Sequence, residues 1–258
     1  MEFSFNGKVA LVTGAAHGIG QSICVELSKR EAMVWATDVL ADDLAETQRA
    51  CRDAGGRCHA RGLDVTDQES VSSVVAGILA QERGIDVLVN VAGGVLGQIA
   101  KPLEEVDDRD WNSIVAVNLT GTFHCCRAVA PVMKERRYGR IVNISSGAGR
   151  STSLTGIQAY TSAKAGQIGL TRQLAQELGP WGITVNNIAP GFVLSNPTTQ
   201  RQWESYGEDG QAKLVEGIAL KRLGAAEDIA HGVLFFASDY AAWCTGQVLS
   251  IDGGKAMF

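Results

Sequence analysis

The chain has 258 residues, 45% hydrophobic and 20% charged, a balance that lets one α/β domain bury a sizeable core. Its formal net charge of −5 comes without any Lys/Arg-rich run, and no apolar stretch approaches the length of a membrane span, so neither nucleic acid nor membrane is expected as a partner. The opening "MEFSFNGKVALV" has an acid at Glu2 and no long apolar run, so no secretory leader is expected and the cytoplasm is the expected compartment.

In chain order, short apolar runs alternate with helical patterns. "KVALVT" (Lys8–Thr13) predicts a first strand, and Ile19 to Ser28 a helix behind a glycine-rich turn. "MVWATD" (Met33–Asp38) predicts a second strand, followed by a helix from about Asp42 to Ala54. "CHARGLDV" (Cys58–Val65) leads into a helix from Asp67 to Glu82, with Asp67 as N-cap and Ser70 in the first turn. "IDVLVN" (Ile85–Asn90) and "GRIVNIS" (Gly139–Ser145) flank one long helical region, Asp108–Arg136. A helix containing Tyr160 and Lys164 precedes "GITVNNIA" (Gly182–Ala189) and "GQVLSID" (Gly246–Asp252). Strands without polar alternation, spaced by helices, predict a parallel sheet buried on both faces. The fold class is α/β: a single Rossmann-like, doubly wound domain over 1–258 with about seven parallel strands.

Two features point to chemistry. Between the first strand and helix lies Thr13-Gly14-Ala15-Ala16-His17-Gly18-Ile19-Gly20. Glycines there let the backbone approach a pyrophosphate while the helix offers free N–H groups. His17 either reaches a phosphate or simply faces solvent. Asp38, at the end of the second strand, stands where a carboxylate would hold adenosine ribose hydroxyls and repel a 2′-phosphate, which points to NAD; its rival role is a helix N-cap. The second feature is "QAYTSAKAG", where Tyr160 and Lys164 share a helical face, so that an ammonium could lower the pKa of a phenol and make it an acid–base group. The six cysteines (Cys24, Cys51, Cys58, Cys125, Cys126, Cys244) lack C-x-x-C spacing and read as reduced, buried thiols; no metal site is expected.

With the glycine loop, Asp64-Val65, "NVAG" (Asn90–Gly93), Asn118 in "VNLTGTF", "NISS" (Asn143–Ser146), Tyr160-x-x-x-Lys164, "PGFVLS" (Pro190–Ser195) and the closing "IDGG", the chain resembles the short-chain dehydrogenase/reductase family over nearly its whole length. The resemblance implies a catalytic tetrad of Asn118, Ser146, Tyr160 and Lys164. It makes Tyr160 the general acid–base, Ser146 its partner on the substrate oxygen, and Lys164 the holder of the nicotinamide ribose. Asn118 would support a water that connects the lysine to solvent. It implies adenine and adenosine contacts from Asp64, Val65 and Asn90, with Ala92 and Gly93 following. Pro190, Gly191, Val193 and Ser195 would lie by the nicotinamide, and Thr13 would brace the glycine turn. Three departures stand out: Val91 replaces the second Asn of N-N-A-G, Ser195 replaces a threonine, and the interval from Ser146 to Tyr160 is one residue longer, which leaves Ser145 as a rival serine.

The segment after the sixth strand, about 195–220, matches the family's variable substrate lid, and Trp203 and Tyr206 either press on a substrate or anchor the lid. Gly94, Val95, Leu96, Ser151–Thr155 and Phe192 are the other expected pocket residues. The reading is an NAD(H)-dependent oxidoreductase interconverting a secondary alcohol and a ketone, the small-molecule substrate being a sugar, polyol or cyclic alcohol. The alternative within the family is an NADPH-using 3-oxoacyl carrier-protein reductase; outside enzymes, a dinucleotide-binding regulator. The family also implies a homotetramer.

Overall fold

The computed structural model describes residues 3–256; Glu2, used above to argue against a leader, lies outside the described residues. Seven strands form one parallel sheet in the order β3-β2-β1-β4-β5-β6-β7. They are β1 (Val9–Thr13), β2 (Met33–Asp38), β3 (Arg57–Gly62), β4 (Val87–Asn90), β5 (Gly139–Ile144), β6 (Ile183–Pro190) and β7 (Val248–Ile251). The helices are α1 (Gly18–Ser28), α2 (Leu44–Asp53), α3 (Gln68–Leu79), α4 (Asp108–Val115), α5 (Gly121–Arg136), α6 (Gln158–Leu178), α7 (Pro197–Ser205), α8 (Gly207–Glu216) and α9 (Ala226–Ala237). Strand order runs outward in both directions from β1 and β4, so the connections diverge there and open a crevice at the carboxyl ends of the strands.

Alternate side chains of each strand enter two apolar layers. Ala10 and Val12 pack with α1 and α9, whereas Val9 and Leu11 pack with α3, α5 and α6. The expectation of burial on both faces holds for the central strands only. β3 is an edge strand with five of its six residues, Arg57, His59, Ala60, Arg61 and Gly62, exposed, because only β2 pairs with it. β7, the opposite edge, is also partly open. Asp67 caps α3 as expected, accepting from the Glu69 N–H at 2.8 Å, and the Ser70 hydroxyl receives the Asp64 N–H at 3.2 Å. Asp38, by contrast, caps no α-helix; it accepts from Leu40 N–H in a local turn.

The long helical region Asp108–Arg136 is not continuous. A π-helical turn, Ala116–Thr120, separates α4 from α5. A π turn leaves a carbonyl without its usual partner four residues on. Here the Asn118 side chain supplies one, its Nδ2 donating to Ile114 O at 2.9 Å.

At the other end of the sheet, Asp86 is 3% exposed and joins two segments: Oδ2 accepts from Val9 N–H at 2.9 Å and Oδ1 from Arg136 Nη2 at 3.1 Å. Asp86→Ala leaves a strand N–H and a guanidinium without their acceptor. It should lower the unfolding free energy by about 2–3 kcal/mol. Urea titration reads this as a lower midpoint at unchanged slope; an unmoved midpoint would make the contact dispensable.

Candidate active site

A cleft of about 1100 Å³ opens where β1 and β4 diverge. Its first wall is the turn from β1 to α1. Gly14 (φ 64°) and Gly18 (φ 54°) lie in the left-handed region, and a Cβ on Gly18 would stand 2.6 Å from Ser195 O. A Cβ on Gly20 would fall 2.0 Å from Gly14 O. No side chain caps the first turn of α1 and no carboxylate lies in it, so its N–H groups are available to an anion. Thr13 Oγ1 braces the turn by accepting from Val91 N–H at 3.1 Å and Ala92 N–H at 3.2 Å, and the valine at position 91 leaves those backbone bonds intact. These are the fit requirements of a dinucleotide pyrophosphate, and the residues present meet them.

Farther out, Asp38, Val39, Leu40, Leu63, Asp64 and Val65 line the same cleft. Asp38 Oδ2 accepts from Ala16 N–H at 3.1 Å, tying β2 to the glycine turn with its carboxylate facing the cleft. Asp64 accepts from Thr66 through both backbone and hydroxyl. Among the described residues lining the cleft, Lys164 and Lys255 are the lysines and no arginine is present, so this outer end carries two carboxylates and no Lys or Arg. His17 lines the cleft but is half-exposed, with Nε2 3.3 Å from Asp43 Oδ2, the solvent-facing position allowed for it.

One expected contact residue lies elsewhere. Asn90 is buried behind the wall; its Nδ2 donates to Asn143 Oδ1 at 2.8 Å, because β4 ends with that side chain turned into the sheet. It is not among the cleft-lining residues, whereas Ala92, Gly93, Gly94 and Val95 are. Asn118 is also fully buried, beneath the cleft rather than on its surface. Its Oδ1 accepts from Gly94 N–H at 2.9 Å and its Nδ2 donates to Gly94 O at 2.8 Å, a two-point clamp on the β4 loop. A Cβ on Gly93 would lie 2.5 Å from Asn118 Oδ1 and 3.2 Å from Lys164 Nζ, so the three residues are in close register.

Ser146, Tyr160 and Lys164 all line the cleft. The two serines are separated by their bonds. Ser145 Oγ donates to Asn187 Oδ1 and is held in the sheet, while Ser146 Oγ caps the following turn by accepting from Ala148 N–H at 3.1 Å and is hydrogen-bonded with Tyr160. Tyr160 sits on α6 one turn before Lys164, against Ile114, Ile157, Ala159 and Val95. Lys164 Nζ donates to Ile144 O at 2.9 Å and stands 5.8 Å from the Tyr160 ring centroid. Burial moves the two groups in opposite directions: the Tyr160 phenol goes up, partly offset by the Ser146 hydrogen bond, and the Lys164 ammonium goes down to about 8. The expected net lowering of Tyr160 is therefore not what the protein's own field produces. Desolvation outweighs the Ser146 hydrogen bond, and the ammonium is aimed at the Ile144 carbonyl.

The lid is two short helices, α7 and α8, entered through Asn196, which caps α7 with its side chain on Thr198 and Thr199 N–H. Trp203 and Tyr206 do not line the cleft. Their rings pack on Phe192 at 6.0 and 5.9 Å between centroids, anchoring the lid through an aromatic that does line the cleft. Pro190, Gly191, Val193, Ser195 and Ser151–Thr155 line the cleft as expected. Gln202, one of the polar lid residues, lines the cleft, whereas Leu214, Ile218 and the tail residues Asp252, Lys255 and Ala256 were missed by sequence reasoning. Nothing in their local pattern marks them; packing of the lid and tail brings them in.

Lys164 also makes a stability prediction. Its folded-state value lies below that of a free lysine, so on raising pH the native protein loses the proton first. Between about 8 and about 10.4 the unfolded chain binds more protons, and stability rises with pH. The wild type should therefore gain on the order of 1–3 kcal/mol relative to Lys164→Met across that window. Urea midpoints of both proteins from neutral pH upward test this; a constant difference would place the amine in contact with water.

Residues 8–205 match the family model for short chain dehydrogenases. Over 255 residues the chain is 39% identical to the 3-oxoacyl-acyl-carrier-protein reductase FabG of Escherichia coli (strain K12), covering 98% of this chain and 99% of that protein. It is 36% identical over 262 residues to a cyclohexanol dehydrogenase of Rhodococcus sp. (strain TK6), with 96% of each chain covered. The structure of levodione reductase superposes with a TM-score of 0.92 at 29% identity, covering 98% of this chain and 100% of that one. With the glycine turn, the sheet order and the Ser146–Tyr160–Lys164 grouping in agreement, the chain belongs to the short-chain dehydrogenase family of oxidoreductases, whose members bind a nicotinamide dinucleotide.

Proposed function

We propose that the protein is an NAD(H)-dependent oxidoreductase that interconverts a secondary alcohol and a ketone, with Tyr160 as general acid–base. The observation that carries this reading is the cleft itself: an anion-ready turn at one end and a phenol, a hydroxyl and a buried amine converging at the other. The bound nicotinamide would supply the hydride chemistry. Gly14, Gly18, Gly20 and the start of α1 would hold its pyrophosphate, Asp38 the adenosine ribose, Asp64 and Val65 the adenine side, and Val193 and Ser195 the carboxamide.

The chain's own part is to orient the reacting carbon and manage one proton. Tyr160 Oη would take the proton from an alcohol or give it to a ketone, and Ser146 would share the substrate oxygen and fix its direction. Burial raises the phenol and lowers the ammonium, so the two values move apart and the phenol keeps its proton, ready to donate, at neutral pH. Asn118 would act as a positioning residue, its clamp on Gly94 fixing the loop opposite Tyr160. Ser151, Ser153, Thr155 and Gln202 give the substrate end hydroxyl and amide groups, which suits a sugar, polyol or hydroxylated ring. The homotetramer belongs to the same proposal, and Phe123 (40% exposed) and Trp243 (100% exposed) offer apolar surface for it.

The 39% identity to an acyl-carrier-protein reductase favours a second reading, reduction of a 3-oxoacyl thioester with NADPH. The carboxylates at the adenosine end and the lack of Lys or Arg among the described lining residues there argue for NAD, because a 2′-phosphate would meet like charge.

A panel of sugars, polyols, cyclic alcohols and hydroxyacyl thioesters, run with NAD and with NADP, separates the two. Tyr160→Phe should lower kcat by about 10²–10⁴-fold while dinucleotide binding stays within a few-fold; a variant that keeps its turnover would remove Tyr160 from the chemistry. Asp38→Ala should shift the NAD-over-NADP ratio of kcat/KM toward NADP by about tenfold or more. A wild-type preference for NADP would overturn the NAD assignment in favour of the thioester reductase.

A further inference from the structure

After β7 the chain turns back toward the cleft through Gly253 (φ 67°) and Gly254 (φ 79°). Asp252 fixes this turn: its Oδ1 accepts from Gly254 N–H at 2.9 Å and Lys255 N–H at 3.3 Å, and its Oδ2 from Ala256 N–H at 3.0 Å. The turn is bound to the segment behind the lid, where Leu220 N–H donates to Gly253 O at 3.0 Å and a Cβ on Gly253 would lie 2.7 Å from Ile218 Cγ2. It also lies beside the expected nicotinamide region, since a Cβ on Gly191 would come 2.8 Å from Asp252 Cα.

This places Lys255 on the cleft wall with Phe192, Leu214 and Ile218. Its Nζ is folded over the end of α8, 2.5 Å from where a Cβ on Gly217 would be. Lys255 is exposed at the rim of the cleft, with its ammonium lying back over the lid. The other basic side chains along the cleft are engaged: Lys164 donates to the Ile144 carbonyl, and His17 Nε2 lies 3.3 Å from Asp43 Oδ2. The acid nearest to it in sequence, Asp252, is taken up by three backbone N–H groups, and among the described residues no ion pair engages Lys255. This exposed ammonium at the rim of the cleft, beside the carboxyl end of α8, is therefore open to a negative charge on a ligand.

Resting on the dehydrogenase reading above, we propose that the substrate carries a carboxylate and that Lys255 binds it, which makes hydroxy or keto acids, polyhydroxylated ones above all, the substrate class. The hydroxyl-bearing segment Ser151–Thr155 and Gln202 line the rest of that chamber and suit the hydroxyls of such an acid. A single lysine without arginine matches one negative charge better than a doubly charged phosphate monoester. Lys255 is a specificity residue in this scheme; the proton chemistry stays with Tyr160.

The test is calorimetric titration of D-gluconate and L-lactate, each beside its neutral counterpart, D-sorbitol and propylene glycol, into NADH-saturated wild type, Lys255→Gln and Lys255→Arg. Each acid should bind at least about tenfold tighter than its neutral partner. Lys255→Gln should erase that ratio and Lys255→Arg should restore most of it. Weakening of acid and neutral ligand alike would show that Lys255 only latches the lid through the end of α8 and would overturn the proposal, as would acids that fail to bind or a ratio near one in the wild type. Saturation is read first from nicotinamide fluorescence. A protein that takes up no dinucleotide overturns the preceding reading instead, and the same titrations without dinucleotide still decide the role of Lys255.

Discussion

A line of buried amide and hydroxyl side chains holds the sheet, α6 and the floor of the cleft in one register. Asn90 donates to Asn143 across β4 and β5, and Asn143 donates to Thr171 on α6. Thr171 donates to the Gln167 carbonyl, while the Gln167 amide reaches Asn118 O and Thr122 Oγ1. Asn118 then clamps Gly94 from both sides. All of these donors lie at 3% exposure or less, where an unpaired polar group is costly, so the partners hold one another to a single arrangement. Apolar packing alone tolerates sliding of a helix on a sheet; directional bonds at five successive positions do not.

That fixed register matters because the site is assembled from segments far apart in the chain. Gly93 has room only for a hydrogen between Asn118 and Lys164, and Gly149 packs its α-carbon on the backbone of α6, where a Cβ would lie 2.7 Å from Lys164 C and O. These close approaches seat the serine turn directly on the helix that carries Tyr160. The π turn at Ala116–Thr120 serves the same end: it points Asn118 inward at a place where a regular helix would have spent that carbonyl on its own backbone.

The cleft divides electrostatically along its length. Carboxylates sit at the outer end, N–H groups at the glycine turn, a desolvated amine beside the phenol, and a second lysine at the lid. The division follows from topology: helix N-termini and strand carboxyl ends face this side of every open parallel sheet, and the loops that leave them decide which charges are added.

The sequence by itself determined the parallel α/β class, the glycine turn after β1, the Asp67 cap, and the spacing that puts Tyr160 and Lys164 on one helical face, because each is a local property read over a few residues. It also set Ser146 against Ser145 as the two possible serines; what tells them apart is tertiary, since the sheet spends the Ser145 hydroxyl on β6. The same holds for Asn90, whose side chain turns into the interior strand pairs, and for the aromatic residues Trp203 and Tyr206, which find Phe192 before they find the cleft. Lys255 and Ile218 reached the site through a tail and a lid that meet only in three dimensions. The direction in which Tyr160 moves was likewise undecided by spacing, since burial, a property of the folded whole, raises it by more than the Ser146 hydrogen bond lowers it.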